Sequence, residues 1–450
     1  MLSVSEAYSR AVNADARRTF HRVTIGGVLL DQNAAPKMTF NESVGSNLGV
    51  ALGTSNSASL QLTLRDSAVI DYTDMLVEPE SGIELSDGTI VWLPLGKFWV
   101  TDSSTSNDYK TVNLTCADGM YLMSGEYVSA LTYPALVRDV AREIAKQAGV
   151  ELVDLEEWPE IYIRKKPEKL SLRNAIGYVA GCCGKNAKFN RYGKLELAWY
   201  KDTGITIERE QQYLDGFTRL NDQPLNVNFE IKGEVEKYKV TIVSDDNGSV
   251  VASPGTNILE GDTVTLNIVP FYKYELASIS ATTTTGGSVT LWNNTSGNEY
   301  YFAQPDSDVT VTVRFRIADG SSSEVTNLNS AMIYDGVSEA SEPTTFAMPK
   351  SVGATVTMEY TNPLITSKMV DAITAVVQGV SYTPSKVKHR GNPALEAGDI
   401  VTVPDKNGDY HTVLIMQQTL TFGGGMNAVI TCPGQTERKT NFSSTGALTT

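Results

Sequence analysis

The chain has 450 residues, of which 20% are charged and 41% hydrophobic, with a formal net charge of −15. That length suits about three domains, and the acidic balance excludes a basic nucleic-acid-binding surface. No uninterrupted apolar run reaches the ~18 residues of a membrane span, so no membrane anchor is expected.

The N-terminal stretch MLSVSEAYSRAVNADARRTF lacks the basic-then-apolar layout of a secretory leader. Residues 3–19 read as a short polar helix with Val4, Ala7, Tyr8, Ala11 and Val12 near one face. From His21 the hydrophobic period becomes two. VTIGGVLL, PKMTF, ASLQLTLRD, TIVWLPLGKFWVTD and KTVNLTCADG are strand-like runs separated by turn residues. The segments are therefore 1–19, an N-terminal helical stretch, and 20–129, a first β-barrel domain. The small-residue loop Asn41–Asn56 is expected to be mobile and to touch a neighbouring subunit.

Over 130–217 the pattern becomes α/β. Ala135–Gly149 places Leu136, Val137, Val140, Ile144 and Ala145 on one face and ends on a glycine cap. Ser171 is the expected N-cap of a second helix running to Cys183, with Leu172, Ile176, Val179 and Ala180 inward. A hairpin follows, Asn186–Asn190 and Lys194–Trp199, turned at Arg191-Tyr192-Gly193. Leu225–Ile231 is a plain alternating strand.

Composition then shifts. Residues 237–316 contain neither Cys nor Met and are rich in Thr, Ser, Val and Asn. The phrases Y-x-V-T-I, N-G-S-V, G-D-T-V-T-L and D-V-T-V-T-V-x-F in this stretch resemble the divergent B-repeat of bacterial surface proteins, which implies a small inserted all-β domain. Gly320–Ser323 reads as its exit linker. A second β-barrel domain, 218–236 and 317–435, is thereby interrupted and resumed. It contains Asn362-Pro363 before a helix over Ser367–Gln378, and a hairpin at Asp405–Asp409 with Asn407-Gly408 at the turn. Residues 436–450 are a polar, flexible tail. The fold class is thus mainly β with a small α/β module.

Chemistry is sparse. His21, His389 and His411 lie in three separate contexts, and none has a partner at catalytic or ligand spacing. No H-E-x-x-H, G-x-S-x-G or P-loop occurs. The acids of Asp405–Asp409 and of Asp245–Asn247 fit turns better than calcium loops. Glu208, Glu210 and the acids between Glu151 and Glu160 are too scattered to define a glycosidase pair. Cys116, Cys182, Cys183 and Cys432 lack the spacing of a zinc or redox site. No catalytic residue, metal site or cofactor is expected, and the chain does not read as an enzyme. One group stands apart: Tyr272, Tyr274, Trp292, Tyr300 and Tyr301, clustered in the inserted domain, are a candidate surface for a sugar or a protein.

Three phrases occur in a consistent order. They are Ile144, Gln147, Ala148 and Gly149 with Arg173, Ile176, Val179 and Ala180; then Arg191, Gly193, Lys194, Leu195 and Leu197; then Gly391, Asn392, Pro393, Leu395, Gly398, Asp399 and Val401, closed by Leu420, Phe422, Gly423 and Gly424. Together they resemble the phage baseplate hub and tail-tip family. The resemblance implies a structural virion protein, a homotrimer whose ring adapts a hexameric tail tube to a threefold tip. Implied partners are the tail tube, distal tail or baseplate proteins and the tape measure protein. The genome would pass through the channel without specific DNA binding. Assembly would occur in the bacterial host cytoplasm and the final location would be the virion tail. A bacterial surface adhesin carrying a B-repeat, or a cell-wall or polysaccharide hydrolase, are the alternatives.

Overall fold

The structure is a computed structural model. It describes the chain except residues 47–48, 66–69, 107–109, 154–157, 222, 295–296, 319–329, 334–342, 347, 349–355, 435–437 and 441–450. The expected linker at 320–323, three of the acids between 151 and 160, and most of the expected tail lie outside the described residues. The chain divides into two compact units, Met1–Gly233 with Thr345–Thr450, and Glu234–Thr344. Both are mainly β.

In the first unit, twelve of the described strands join one sheet. Lys37–Ser43 lies at its centre, because its two edges are taken by strands from opposite ends of the chain. Ser59–Leu64 pairs on one side, with Phe40 opposite Leu60. Gln417–Phe422 pairs on the other, with Met38 opposite Phe422 and Asn41 opposite Thr419. The alternation of each strand then points Met38, Phe40, Leu60, Leu62, Leu420 and Phe422 into a common apolar core. Helix α1, Glu6–Asn13, covers part of this core. Ser5 caps it by accepting from the Tyr8 N–H, and Tyr8 and Val12 are buried. It is shorter than the 3–19 span expected, since Ala14 already has an extended backbone.

A second core in the same unit gathers the helices. Helix α2, Val137–Ala148, buries Val137, Val140, Ala141, Ile144 and Ala145, a stripe with the three- and four-residue spacing of one helix face. Leu136 is not part of that face. With Ala135 it forms a short strand against Tyr162–Ile163, so the helix begins at Val137, two residues later than expected. Gly149 ends α2 in the left-handed conformation, φ 69°, where a side chain would be strained. Helix α3, Leu172–Cys182, is capped by Ser171 Oγ, which accepts from the Asn174 N–H at 3.1 Å. It is buried on nearly every side. Helix α4, Val370–Val377, completes the group, preceded by a 3-10 turn at Ser367–Met369. Full burial of Ile144, Ile176 and Ile373 stabilises by about 1.5–3 kcal/mol each.

The described residues of the 41–56 loop are packed where mobility was expected. Val44, Val50, Ala51 and Leu52 are buried in this second core. Asn186 Oδ1 accepts from the Thr54 N–H and hydroxyl at 2.9 and 3.0 Å, and its amide donates to Ala51 O. Arg173 donates twice to Ser55 O. Small residues here permit close backbone approach within the chain, which is why the composition resembles that of a mobile loop. Residues 438–440 add a short parallel strand beside Val356–Thr361, within the stretch read as a tail.

The second unit is two four-stranded sheets. One contains Val240–Ser244, Tyr274–Thr283, Val309–Ile317 and Ser330–Ile333. The other orders Gly248–Ser253, Thr263–Pro270, Glu299–Ala303 and Trp292–Asn293. Val240, Ile242, Val264, Leu266, Phe302, Val311, Val313 and Phe315 form a core of their own. Strict alternation produces it, as in Val309–Ile317, where every second residue from Val309 to Phe315 is buried.

Candidate interaction surface

Side-chain parity decides what the second unit shows to solvent. In Thr263–Pro270, Val264, Leu266 and Ile268 face the core, so Thr263, Thr265, Asn267 and Val269 face outward. The neighbouring strands follow in register. Thr265 lies between Ser253 and Tyr301, and Tyr301 lies opposite Trp292. Ser253, Thr265, Tyr301 and Trp292 therefore form one row across four strands. The next row holds Val251, Asn267 and Glu299, and Ser249 and Val269 follow.

Trp292 and Tyr301 are stacked, with ring centroids 5.9 Å apart and planes inclined by 25°. They are 46% and 40% exposed. The other three aromatics of the expected cluster sit elsewhere. Tyr300 has the opposite parity, lies opposite Leu266 and packs against the core, as does Tyr274. Tyr272 is in a turn, 87% exposed, with Lys273 Nζ 5.6 Å from its ring centroid. Reading the five as one group missed this, because adjacent strand residues point to opposite faces. Val251 and Val269 were missed as surface residues. Their signal was available: each is an apolar residue at the outward parity of its strand.

The first unit has polar centres of a different kind. Arg191 donates to Glu42 Oε1 at 2.7 Å and to Leu395 O at 3.0 Å, and Lys188 Nζ donates to Ala397 O at 2.9 Å. Burial pushes the Glu42 carboxyl up in pKa, while Arg191 and Lys188 pull it down. Every visible partner is structural. His21 bonds Ala35 O and is buried. His389 accepts from the Gly391 N–H and is also buried. His411 lies 3.3 Å from Asp405 and stacks on Phe217. Asp405 in turn accepts from the N–H groups of Asn407 and Asp409, and Asp245 accepts from Asn247 and Phe315, so both acids hold turns and backbone. Among the described residues no group of three or more His, Cys, Asp or Glu is placed to hold a metal ion. Burial raises the thiols of Cys116, Cys183 and Cys432 to about 12, far above the range of a reactive cysteine. No described helix is long and apolar enough to cross a membrane.

Besides Ile90–Pro94, which pairs only with Leu76–Glu84, the twelve-stranded sheet has two open edges among the described residues. One is Val28–Asp31, where Val28 and Leu29 are 62% and 57% exposed. The other is Gln212–Arg219, where Tyr213 and Leu214 are 45% and 93% exposed. Neither pair was singled out from sequence.

No family model matches the chain, and no curated protein matches it. Its structural neighbours are phage tail proteins and a VgrG complex. The structure is similar to the 43 kDa tail protein of prophage MuSo2 from Shewanella oneidensis, at 12% identity and a TM-score of 0.42, over 92% of this chain and 98% of that one. It is similar to a tail protein from Neisseria meningitidis at 10% identity and a TM-score of 0.42, over 92% and 95%. A prophage tail protein from Listeria monocytogenes is similar at 9% identity and the same TM-score, over 93% and 95%.

Proposed function

We propose that this chain is a structural protein of a phage tail or phage-derived particle, acting as a hub that assembles as a homotrimeric ring between tail tube and tip. The observation that carries the reading is a pair of open sheet edges, Val28–Asp31 and Gln212–Arg219. An unpaired strand offers a row of backbone donors and acceptors, and natural proteins normally protect it with charge, proline or cover. Here Val28 and Leu29 are exposed on one edge, and Tyr213 and Leu214 are exposed on the other, in the bulge between Gln212 and Phe217. A contact between two different edges is head-to-tail, and it closes into a ring when the rotation between copies closes. The three sequence phrases support the same reading.

In this reading the partners are the tail tube, distal tail or baseplate proteins and the tape measure protein. The ring's lumen passes the genome without binding its sequence, and an acidic chain suits that passage because like charge keeps a polyanion off the wall. The B-repeat-like unit is an appended module and takes no part in the ring. The test is the mass of the purified chain in solution, together with the mass of a Leu214→Asp variant. The hub reading predicts a trimer that the substitution dissociates. A wild-type chain that stays monomeric at high concentration would refute it.

A further inference from the structure

We infer that the outward face of the sheet Gly248–Ser253, Thr263–Pro270, Glu299–Ala303 and Trp292–Asn293 is a binding site for an uncharged oligosaccharide. The inference rests on this face alone and is independent of the tail reading.

The composition of the face selects the ligand class. Its outward positions are hydroxyl, amide, aliphatic and aromatic side chains, with Glu299 the exception. One of them is acidic, none is basic, and the single carboxylate, Glu299, already accepts from the Asn294 amide at 2.9 Å. A nucleic acid or a sulfated or uronate-rich glycan would require cations to replace its counterions, and the face supplies none. The core of a protein interface would be more continuously apolar than these interleaved hydroxyls and amides.

What remains is a ligand with alternating apolar C–H faces and hydroxyl edges. The stacked Trp292 and Tyr301 provide flat, polarisable surfaces for the C–H face of a pyranose ring. Ser253 and Thr265 continue the same row, and Asn267 lies one position along the strand. Hydroxyls both donate and accept, and an amide offers one of each kind, which matches the mixed hydrogen bonding of sugar hydroxyls. The row runs across four strands, so it suits an extended chain of sugars over a single ring. Trp292 and Tyr301, 46% and 40% exposed, lie side by side at one end of that row.

The experiment is titration calorimetry of the full-length chain against neutral hexasaccharides of glucose, mannose, galactose and N-acetylglucosamine, with a galacturonate hexasaccharide as the anionic comparison. At least one neutral hexasaccharide is expected to bind saturably. Trp292→Ala and Tyr301→Ala are each expected to weaken it by about tenfold or more. Trp292→Phe, which keeps a ring, should retain most of the affinity, and Tyr272→Ala, away from the face, should change nothing. Melting curves matching wild type confirm that the variants are folded. Silence from all four neutral sugars, binding of the galacturonate alone, or undiminished binding by a folded Trp292→Ala variant would each overturn the proposal.

Discussion

Arg191 and Glu42 form a 2.7 Å ion pair whose side chains are 2% and 9% exposed. The guanidinium carbon also lies 4.4 Å from the centre of the Phe40 ring. The pair joins the turn of the 186–198 hairpin to the central strand of the large sheet. Through Leu395 O it also joins the Gly391–Asp399 phrase. Two sequence phrases that suggested the hub family are thus bonded to each other.

Removing one partner of a buried pair leaves the other charge without compensation, at a cost of about 3–5 kcal/mol. Arg191→Met should therefore destabilise the first unit strongly. The double variant Arg191→Met with Glu42→Gln should recover part of the loss, since neither charge then remains. Chemical denaturation of Arg191→Met, Glu42→Gln and the double variant measures the coupling. Additive losses would mean that the pair is not energetically linked.

A second prediction concerns a close approach. Tyr360 is 2% exposed, and its hydroxyl sits against Gly53 and Gly181, where a Cβ at either glycine would overlap it. The hydroxyl accepts from Asn362 Nδ2 at 3.1 Å, and Asn362 also donates to Tyr178 O at 2.9 Å. Gly181→Ala should cost about 1–3 kcal/mol through overpacking. Adding Tyr360→Phe should restore part of that, because it removes the colliding oxygen. Thermal melts of the single and double variants are the check.

How much of this was legible varied with range. Helix α3 could be read directly, since Ser171 and the spacing of Leu172, Ile176 and Val179 are local signals. Gly177 and Gly181 carried no such signal. Their need arises from the Gly53 carbonyl and the Tyr360 hydroxyl, both distant in sequence. The pairing of Lys37–Ser43 with Gln417–Phe422 was likewise invisible, because alternation identifies a strand without naming its neighbour. At the aromatic face, residue types could be read, but the separation of Tyr300 from Tyr301 required strand parity.

Acid sensitivity provides a third prediction. Burial, assisted by the Arg17 charge, pushes His389 down from 6.5 to about 3. The unfolded chain therefore takes up this proton first. The stability contributed by neutral His389 is complete above about pH 6.5 and is lost as pH falls toward about 3. The limiting slope is about 1.4 kcal/mol per pH unit. Burial raises Asp118 from 3.8 to about 6, so its contribution has the opposite sign, present below 3.8 and lost as pH rises through 6. Comparing His389→Asn with wild type isolates the histidine. The variant's stability should fall less between pH 6 and pH 4, and parallel curves would contradict the assignment.

The second unit should be separable. Among the described residues, Glu234–Thr344 has its own core of fourteen buried apolar residues. Excising it and joining the ends with a short Gly/Ser linker should leave the first unit folded. Near-UV circular dichroism and a cooperative melt of the remainder would show this. Loss of cooperative unfolding would mean that the first unit depends on it.

The most direct test of the central claim is light scattering of the purified chain across a concentration series, beside Leu29→Asp and Leu214→Asp. A ring built through the two sheet edges predicts a mass three times the 48.8 kDa of one chain. Either substitution should reduce it to the single-chain mass while leaving the melt of the folded unit intact. A monomer at every concentration, or a trimer indifferent to charges placed on both edges, would contradict the account.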